Sequence, residues 1–173
     1  MSAETHKVET QEYTMTTTHL FDAPLDALWR AWSDAEQVMR WWGPTGFTSP
    51  ICKMDFREGG TTLVCMAAPA EYGGQEMYNT WSYSRIVPQE RIEFASRFSD
   101  AEGKVLDPAQ LGLPPGIPMS VPHVITFKEV GGGKTELTVT EYGYTNAEIT
   151  QISKAGMDQC LEKMAASLSG ARA

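Results

Sequence analysis

The 173-residue sequence predicts one α+β domain, a curved antiparallel sheet whose concave side is closed by a long C-terminal helix. Three observations carry that prediction. A Thr-rich strand pattern leads directly into two short helical patterns. A series of strands separated by Gly- and Pro-containing turns follows. The chain then ends in a long helix with one broad apolar face. Neither an internal repeat nor a second block of distinct composition interrupts this order, so residues 13–169 read as a single domain after a loose polar lead-in over residues 1–12.

Each element has a local physical reason. Tyr13 to Leu20 alternates Thr with aromatic and apolar residues, which suits a strand. Pro24 opens the first helix, where its missing N–H is no loss, and Leu25, Leu28, Trp29 and Trp32 give that helix an apolar stripe. Ser33-Asp34 starts a second short helix, with Glu36 or Gln37 placed to close a capping box. Gly43-Pro44 ends it, because proline has no donor with which to continue. Strands are expected over Phe47 to Phe56, Thr61 to Ala67, Glu76 to Val87 and Arg91 to Phe98, then over Met119 to Glu129 and Thr135 to Tyr142. Thr145-Asn146-Ala147-Glu148 reads as a capping box for the last helix. Its apolar face holds Ile149, Ile152, Met157, Cys160, Leu161, Met164 and Leu168.

Composition narrows the function classes. A hydrophobic share of 42% with 21% charged residues is that of a soluble globular protein. The formal net charge of −8 argues against a nucleic-acid surface, which needs clustered Lys and Arg. Cys52, Cys65 and Cys160 are odd in number and widely spaced, so free thiols in a reducing compartment are expected rather than a disulfide scaffold. The polar N-terminus has no apolar signal-peptide core, and no segment reaches the ~20 apolar residues of a membrane span. The expected location is the cytoplasm.

A sheet bent around one helix leaves unfilled volume, and that volume is the expected binding pocket. Val121, His123, Ile125 and Phe127 share one strand face, and Leu137, Val139 and Glu141 share another. His123 and Glu141 should therefore both point inward. Two ionisable groups there need each other, water or a ligand. They are the only candidates for a general acid–base pair; otherwise they are a polar anchor or a satisfied structural pair. Tyr78 and Trp81 lie on opposite faces of one strand, and pattern leaves open which face lines the pocket. Trp41 and Trp42 read as core, with one of the pair free to face the pocket. Arg57 is a candidate for an anionic ligand group, or an exposed sheet-end residue. Gly156 sits on the apolar stripe of the last helix, where close approach of a sheet side chain or a ligand would explain it. Met157 and Cys160 complete the candidate pocket floor. His19 is expected at an exposed sheet edge, and His6 offers little. No phosphate loop, nucleophile triad or metal spacing is present in the sequence, so no cofactor and no metal are expected.

Five segments together carry a family resemblance: Phe21-Asp22-Ala23-Pro24 with Leu28-Trp29-Arg30-Ala31-Trp32, then Trp41-Trp42-Gly43-Pro44, Arg57-Glu58-Gly59-Gly60, Ile86-Val87-Pro88-Gln89-Glu90-Arg91-Ile92 and Gly133-Lys134-Thr135-Glu136-Leu137-Thr138. In that order they resemble the signatures of the activator of heat-shock protein 90 ATPase homologues, within the START-like, Bet v-type superfamily called SRPBCC. The resemblance implies a helix-grip fold with a cavity between sheet and terminal helix. It departs from the family at Gly156-Met157, where Gly-Trp is common, and in a longer stretch from Lys104 to Met119 suited to a lid. Three functions follow from it: binding of an apolar or aromatic small molecule; stimulation of a chaperone ATPase as an interaction protein; or cyclase- or dehydratase-type catalysis by His123 and Glu141. No separate interaction domain is expected ahead of the first strand. A homodimer is expected only on the general ground that two-fold dimers are the commonest oligomers.

Overall fold

The computed structural model describes residues 11–170; most of the lead-in, including His6, lies outside them. Seven strands form one open, curved antiparallel sheet. They are β1 (Tyr13–Phe21), β2 (Cys52–Lys53), β3 (Thr61–Ala67), β4 (Glu76–Val87), β5 (Arg91–Ser99), β6 (Val121–Gly131) and β7 (Lys134–Tyr144), in the spatial order β1-β7-β6-β5-β4-β3-β2. Helices α1 (Leu25–Ser33) and α2 (Ala35–Trp41) connect β1 to β2, and α3 (Ala147–Gly170) closes the chain. The architecture is the expected α+β grip. Among the described residues no helix is long and apolar enough to cross a membrane.

Three local expectations need correction. The strand over Phe47 to Phe56 shrinks to the two residues of β2. Thr48 still bridges Ala67, but Pro50 has no N–H to extend the ladder, and the Ser49 hydroxyl donates instead to the Cys65 carbonyl at 2.7 Å. The second helix has no reciprocal capping box; the Asp34 side chain alone accepts from the Glu36 N–H at 2.9 Å. The cap of α3 shifts by one residue to Asn146, whose Oδ1 accepts from Ile149 N–H at 3.1 Å, because the Thr145 N–H donates to the Gly116 carbonyl.

The core lies between the concave sheet face and the helices, and tryptophan builds much of it. Trp32 meets Trp41 with ring centroids 4.6 Å apart, Trp42 meets Trp81 edge-on at 5.0 Å, and Trp81 stacks on Phe94 at 5.0 Å. From α3, the Lys163 ammonium donates to the carbonyls of Gly43 and Phe47, each at 3.0 Å. These bonds tether the Trp41-Trp42-Gly43-Pro44 turn to the helix. At the other motif, Gly59 N–H donates to the Tyr83 carbonyl and Tyr83 N–H to the Gly60 carbonyl, pinning the turn to β4. The two glycines are needed for different reasons. Gly59 has φ +82° in open space, whereas a Cβ on Gly60 would sit 2.3 Å from the Asp55 carbonyl oxygen. Gly59→Asn is therefore expected to cost less than about 1 kcal/mol, since Asn tolerates the left-handed region. Gly60→Ala is expected to cost about 2–3 kcal/mol in urea unfolding, because backbone must shift.

The edge position of His19 is as expected, but its side chain is not exposed to solvent as an ordinary edge residue would be. Its Nε2 lies 2.9 Å from Asp158 Oδ1, which also accepts from the Thr17 hydroxyl, while Lys154 donates to Oδ2 at 2.8 Å. This group ties β1 to α3. Burial opposes the Asp158 charge, but the hydrogen bonds from Lys154, Thr17 and His19 outweigh it and hold the carboxyl down at about 2. A folded value below the ordinary 3.8 means that the stabilisation is complete above 3.8 and is lost as pH falls through about 2. The stability difference between wild type and Asp158→Asn, measured by urea unfolding, is expected to be largest at pH 5 and to shrink toward pH 2.

Candidate functional site

A cross-strand row on the concave face places the site. Tyr83 pairs with Phe94, Phe94 with His123, and His123 with Glu141. Alternation puts these side chains inward, as expected: His123 is 5% exposed and Glu141 4%. Their side chains meet, His123 Nε2 lying 2.9 Å from Glu141 Oε1. The other ring nitrogen, Nδ1, is 2.9 Å from the Val121 carbonyl oxygen. A carbonyl only accepts, so Nδ1 carries a hydrogen. One further proton then lies between Nε2 and Oε1. On the imidazole it makes an ion pair, and on the carboxyl a neutral hydrogen-bonded pair; the net charge is zero either way. Phe94 stacks on the imidazole at 4.7 Å and 16°.

Two further residues complete the polar group. Tyr144 OH donates to Glu141 Oε1 at 2.9 Å, and Ser153 Oγ lies 2.8 Å from the Tyr144 oxygen. Since the phenol hydrogen goes to Glu141, Ser153 donates to Tyr144. Burial first, and then the Glu141 charge, push the Tyr144 phenol above its ordinary range, so it remains a donor at neutral pH. Strict alternation along β7 hides Tyr144, because it would turn outward with Tyr142. A bulge reverses this: β1 advances two residues from Tyr13 to Met15 while β7 spans Glu141 to Tyr144, with Gly143 at φ +91°. Glycine in that strand was the available signal. Ser153, on α3, carried none.

These groups line one side of a pocket of about 330 Å³ between the sheet and α3. Its wall is apolar, with Phe98, Val121, Ile149 and Met157 among the lining, and Leu113 and Ile117 come from the stretch between Lys104 and Met119. That stretch is held against the start of α3, where Gly116, at φ +112°, has no room for a Cβ beside Asn146. Trp42, Gly156 and Cys160 also line the pocket, so it gathers six of the nine candidate residues: Trp42, His123, Glu141, Gly156, Met157 and Cys160. The other three lie elsewhere. Arg57 is exposed and its Nε donates to Asp55 at 2.9 Å. Trp81 is 1% exposed, behind the lining in the aromatic core, and Tyr78 faces a separate hollow with its hydroxyl on Glu76. The β4 residues that reach the pocket are Met77 and Asn79, on the Trp81 face.

No sheet side chain approaches Gly156; a Cβ there would meet nothing within 4 Å. Of the two expected reasons for this glycine, the side-chain approach is absent, and the residue borders the pocket instead. Gly156→Ala is accordingly expected to raise stability by up to about 1 kcal/mol through helix propensity, read as a higher urea midpoint. Burial pushes the Cys160 thiol up to about 11, which keeps it protonated and a poor nucleophile at neutral pH.

Known structures share this arrangement of sheet and helix. A protein from Chromobacterium violaceum superposes with a TM-score of 0.72 at 28% identity, covering 90% of this chain and 96% of that one. A solution structure from Arthrobacter aurescens gives 0.74 at 23% identity, covering 91% and 86%. The AHSA1 protein from Silicibacter pomeroyi gives 0.71 at 18% identity, covering 91% and 98%. No curated protein matches the chain. A family model described as Activator of Hsp90 ATPase homolog 1-like protein matches residues 22–170. The chain belongs to that family. In this AHSA1-like chain the matched region begins just after β1 and takes in all three helices and every pocket-lining element.

Proposed function

We propose that this AHSA1-like protein binds an apolar or aromatic small molecule in the pocket between sheet and α3, with the His123–Glu141–Tyr144–Ser153 group as its polar anchor. The observation that carries the reading is a polar group of fixed geometry set in a mostly apolar hollow of ligand size. A panel of uncharged aromatic compounds, tested by thermal shift, is the direct experiment. A compound at one hundred times its Kd stabilises by about 2.7 kcal/mol. Concentration-dependent shifts are expected for part of the panel; a flat response across it overturns the reading.

Two other readings rest on specific observations. The proton held between His123 and Glu141 faces the pocket and supports general acid–base chemistry on a bound substrate. In that case Glu141→Gln lowers turnover at saturating substrate, beyond any loss of ligand-induced stabilisation. The family description supports ATPase stimulation of a chaperone. Chaperone ATPase turnover with and without the protein tests it, and unchanged turnover removes it.

A further inference from the structure

The pocket has a second polar station. Among the described residues, Trp42 Nε1 and Asn79 Oδ1 are buried without a hydrogen-bond partner, on residues that are 9% and 6% exposed, and both residues line the pocket. Trp32 and Trp81 also leave Nε1 unpaired, but neither lines the pocket. An unmade buried hydrogen bond costs about 1–3 kcal/mol, and a ligand group that fills it recovers that cost on binding. Trp42 offers a donor and Asn79 an acceptor, and both side chains adjoin Trp81, which Trp42 meets edge-on and which shares a strand face with Asn79. A hydroxyl carries both of the functions these atoms lack, an acceptor for the indole and a donor for the amide oxygen.

This station is remote from the first. From His123 the path crosses one strand to Phe94, runs four residues along β5 to Phe98 and crosses one more strand to Asn79. Strand rise and spacing make that roughly 16 Å along the sheet surface. Between the two stations the lining is mostly apolar, with Phe98 and Val121 beside the single hydroxyl of Ser96. Among the described residues, the only ionisable acid–base pair on the lining is His123 with Glu141, neutral overall, and the lining includes no Lys or Arg. Nothing there offsets the desolvation of a carboxylate or phosphate.

We infer that the ligand is an uncharged, elongated molecule with an apolar body and a hydrogen-bonding group at each end, one end at Glu141 and Tyr144 and the other, a hydroxyl or its equivalent, at Trp42 and Asn79. This rests on the ligand-binding reading above and names the class that the site selects.

The test is calorimetric titration with biphenyl, 4-hydroxybiphenyl, 4,4′-dihydroxybiphenyl and biphenyl-4-carboxylate, on wild type, Asn79→Leu and Trp42→Phe. In wild type the second hydroxyl is expected to tighten binding about three- to ten-fold, the range of one or two net hydrogen bonds. The carboxylate is expected to bind at least about ten-fold more weakly than the monohydroxy compound. Each variant is expected to erase the gain from the second hydroxyl, read as the ratio of dihydroxy to monohydroxy affinity within the same protein. If Asn79→Leu fails to fold, Trp42→Phe reads the same station through its donor. Equal binding of the mono- and dihydroxy compounds to wild type, or a gain that survives in the folded variants, overturns the two-ended assignment alone. Failure of all four compounds to bind overturns the ligand-binding reading as well.

Discussion

Glu141→Leu is expected to destabilise the protein by about 3–5 kcal/mol in urea unfolding, more than any other single change on the pocket wall. The carboxylate joins three groups: it is 2.9 Å from His123 Nε2, accepts from Tyr144 at 2.9 Å, and lies near Ser153. Leucine fills the space and satisfies none of them. His123 then keeps its bond to the Val121 carbonyl but has a buried ring nitrogen facing an alkyl group, and the Tyr144 hydroxyl loses its acceptor. Most of the loss comes from orphaning the partners rather than from losing a favourable pair, because desolvation offsets much of the attraction inside a buried pair. The double variant His123→Phe/Glu141→Leu separates the two contributions. It is expected to recover at least half of the single-variant loss, a coupling of at least about 1.5 kcal/mol. A double variant as unstable as the sum of the singles would mean that the residues act independently.

The second large effect is at Trp41. Trp41→Ala is expected to cost about 3–5 kcal/mol, by removing a fully buried indole from between Trp32 and Trp42. It also removes the Nε1 donor from the Ala31 carbonyl, 2.9 Å away, and so leaves a buried acceptor unpaired. Trp42→Ala, one residue on, should cost less, because one side of that ring faces the pocket and not packed protein. The difference, measured by urea unfolding of the two variants, divides the adjacent tryptophans into a core residue and a wall residue. Equal losses would place both in the core.

That division was only half legible in the sequence. The Trp-Trp-Gly-Pro run marks the end of α2, but nothing in it says which indole turns to the pocket. The strand faces of β6 and β7 were legible because apolar residues alternate there without a break, and this put His123 and Glu141 inward. Tyr144 was hidden by the bulge at Gly143, which shifts the alternation by one, and Ser153 arrives from a helix that no strand pattern describes. On β4 both faces mix polar and aromatic side chains, so pattern could not choose between Tyr78 and Asn79. Packing chose, by burying Trp81 and Tyr83 on the Asn79 side. Arg57 was a candidate because a guanidinium suits an anionic group; its side chain takes the other course, exposed at the sheet end and paired with Asp55. For β2, apolar composition suggested a longer strand than Pro50 permits.

The pocket itself is tested most directly at Gly156, where a Cβ would meet nothing within 4 Å and a larger side chain is expected to grow into the pocket. Titration of wild type and Gly156→Leu with 4-hydroxybiphenyl, followed by tryptophan fluorescence with Trp42 in the wall as reporter, gives the measurement. Saturable binding to wild type is predicted, with affinity at least about ten-fold weaker in a Gly156→Leu protein that melts no lower than wild type. Equal binding by the two proteins, or no saturation in wild type, would contradict a ligand site between the sheet and α3.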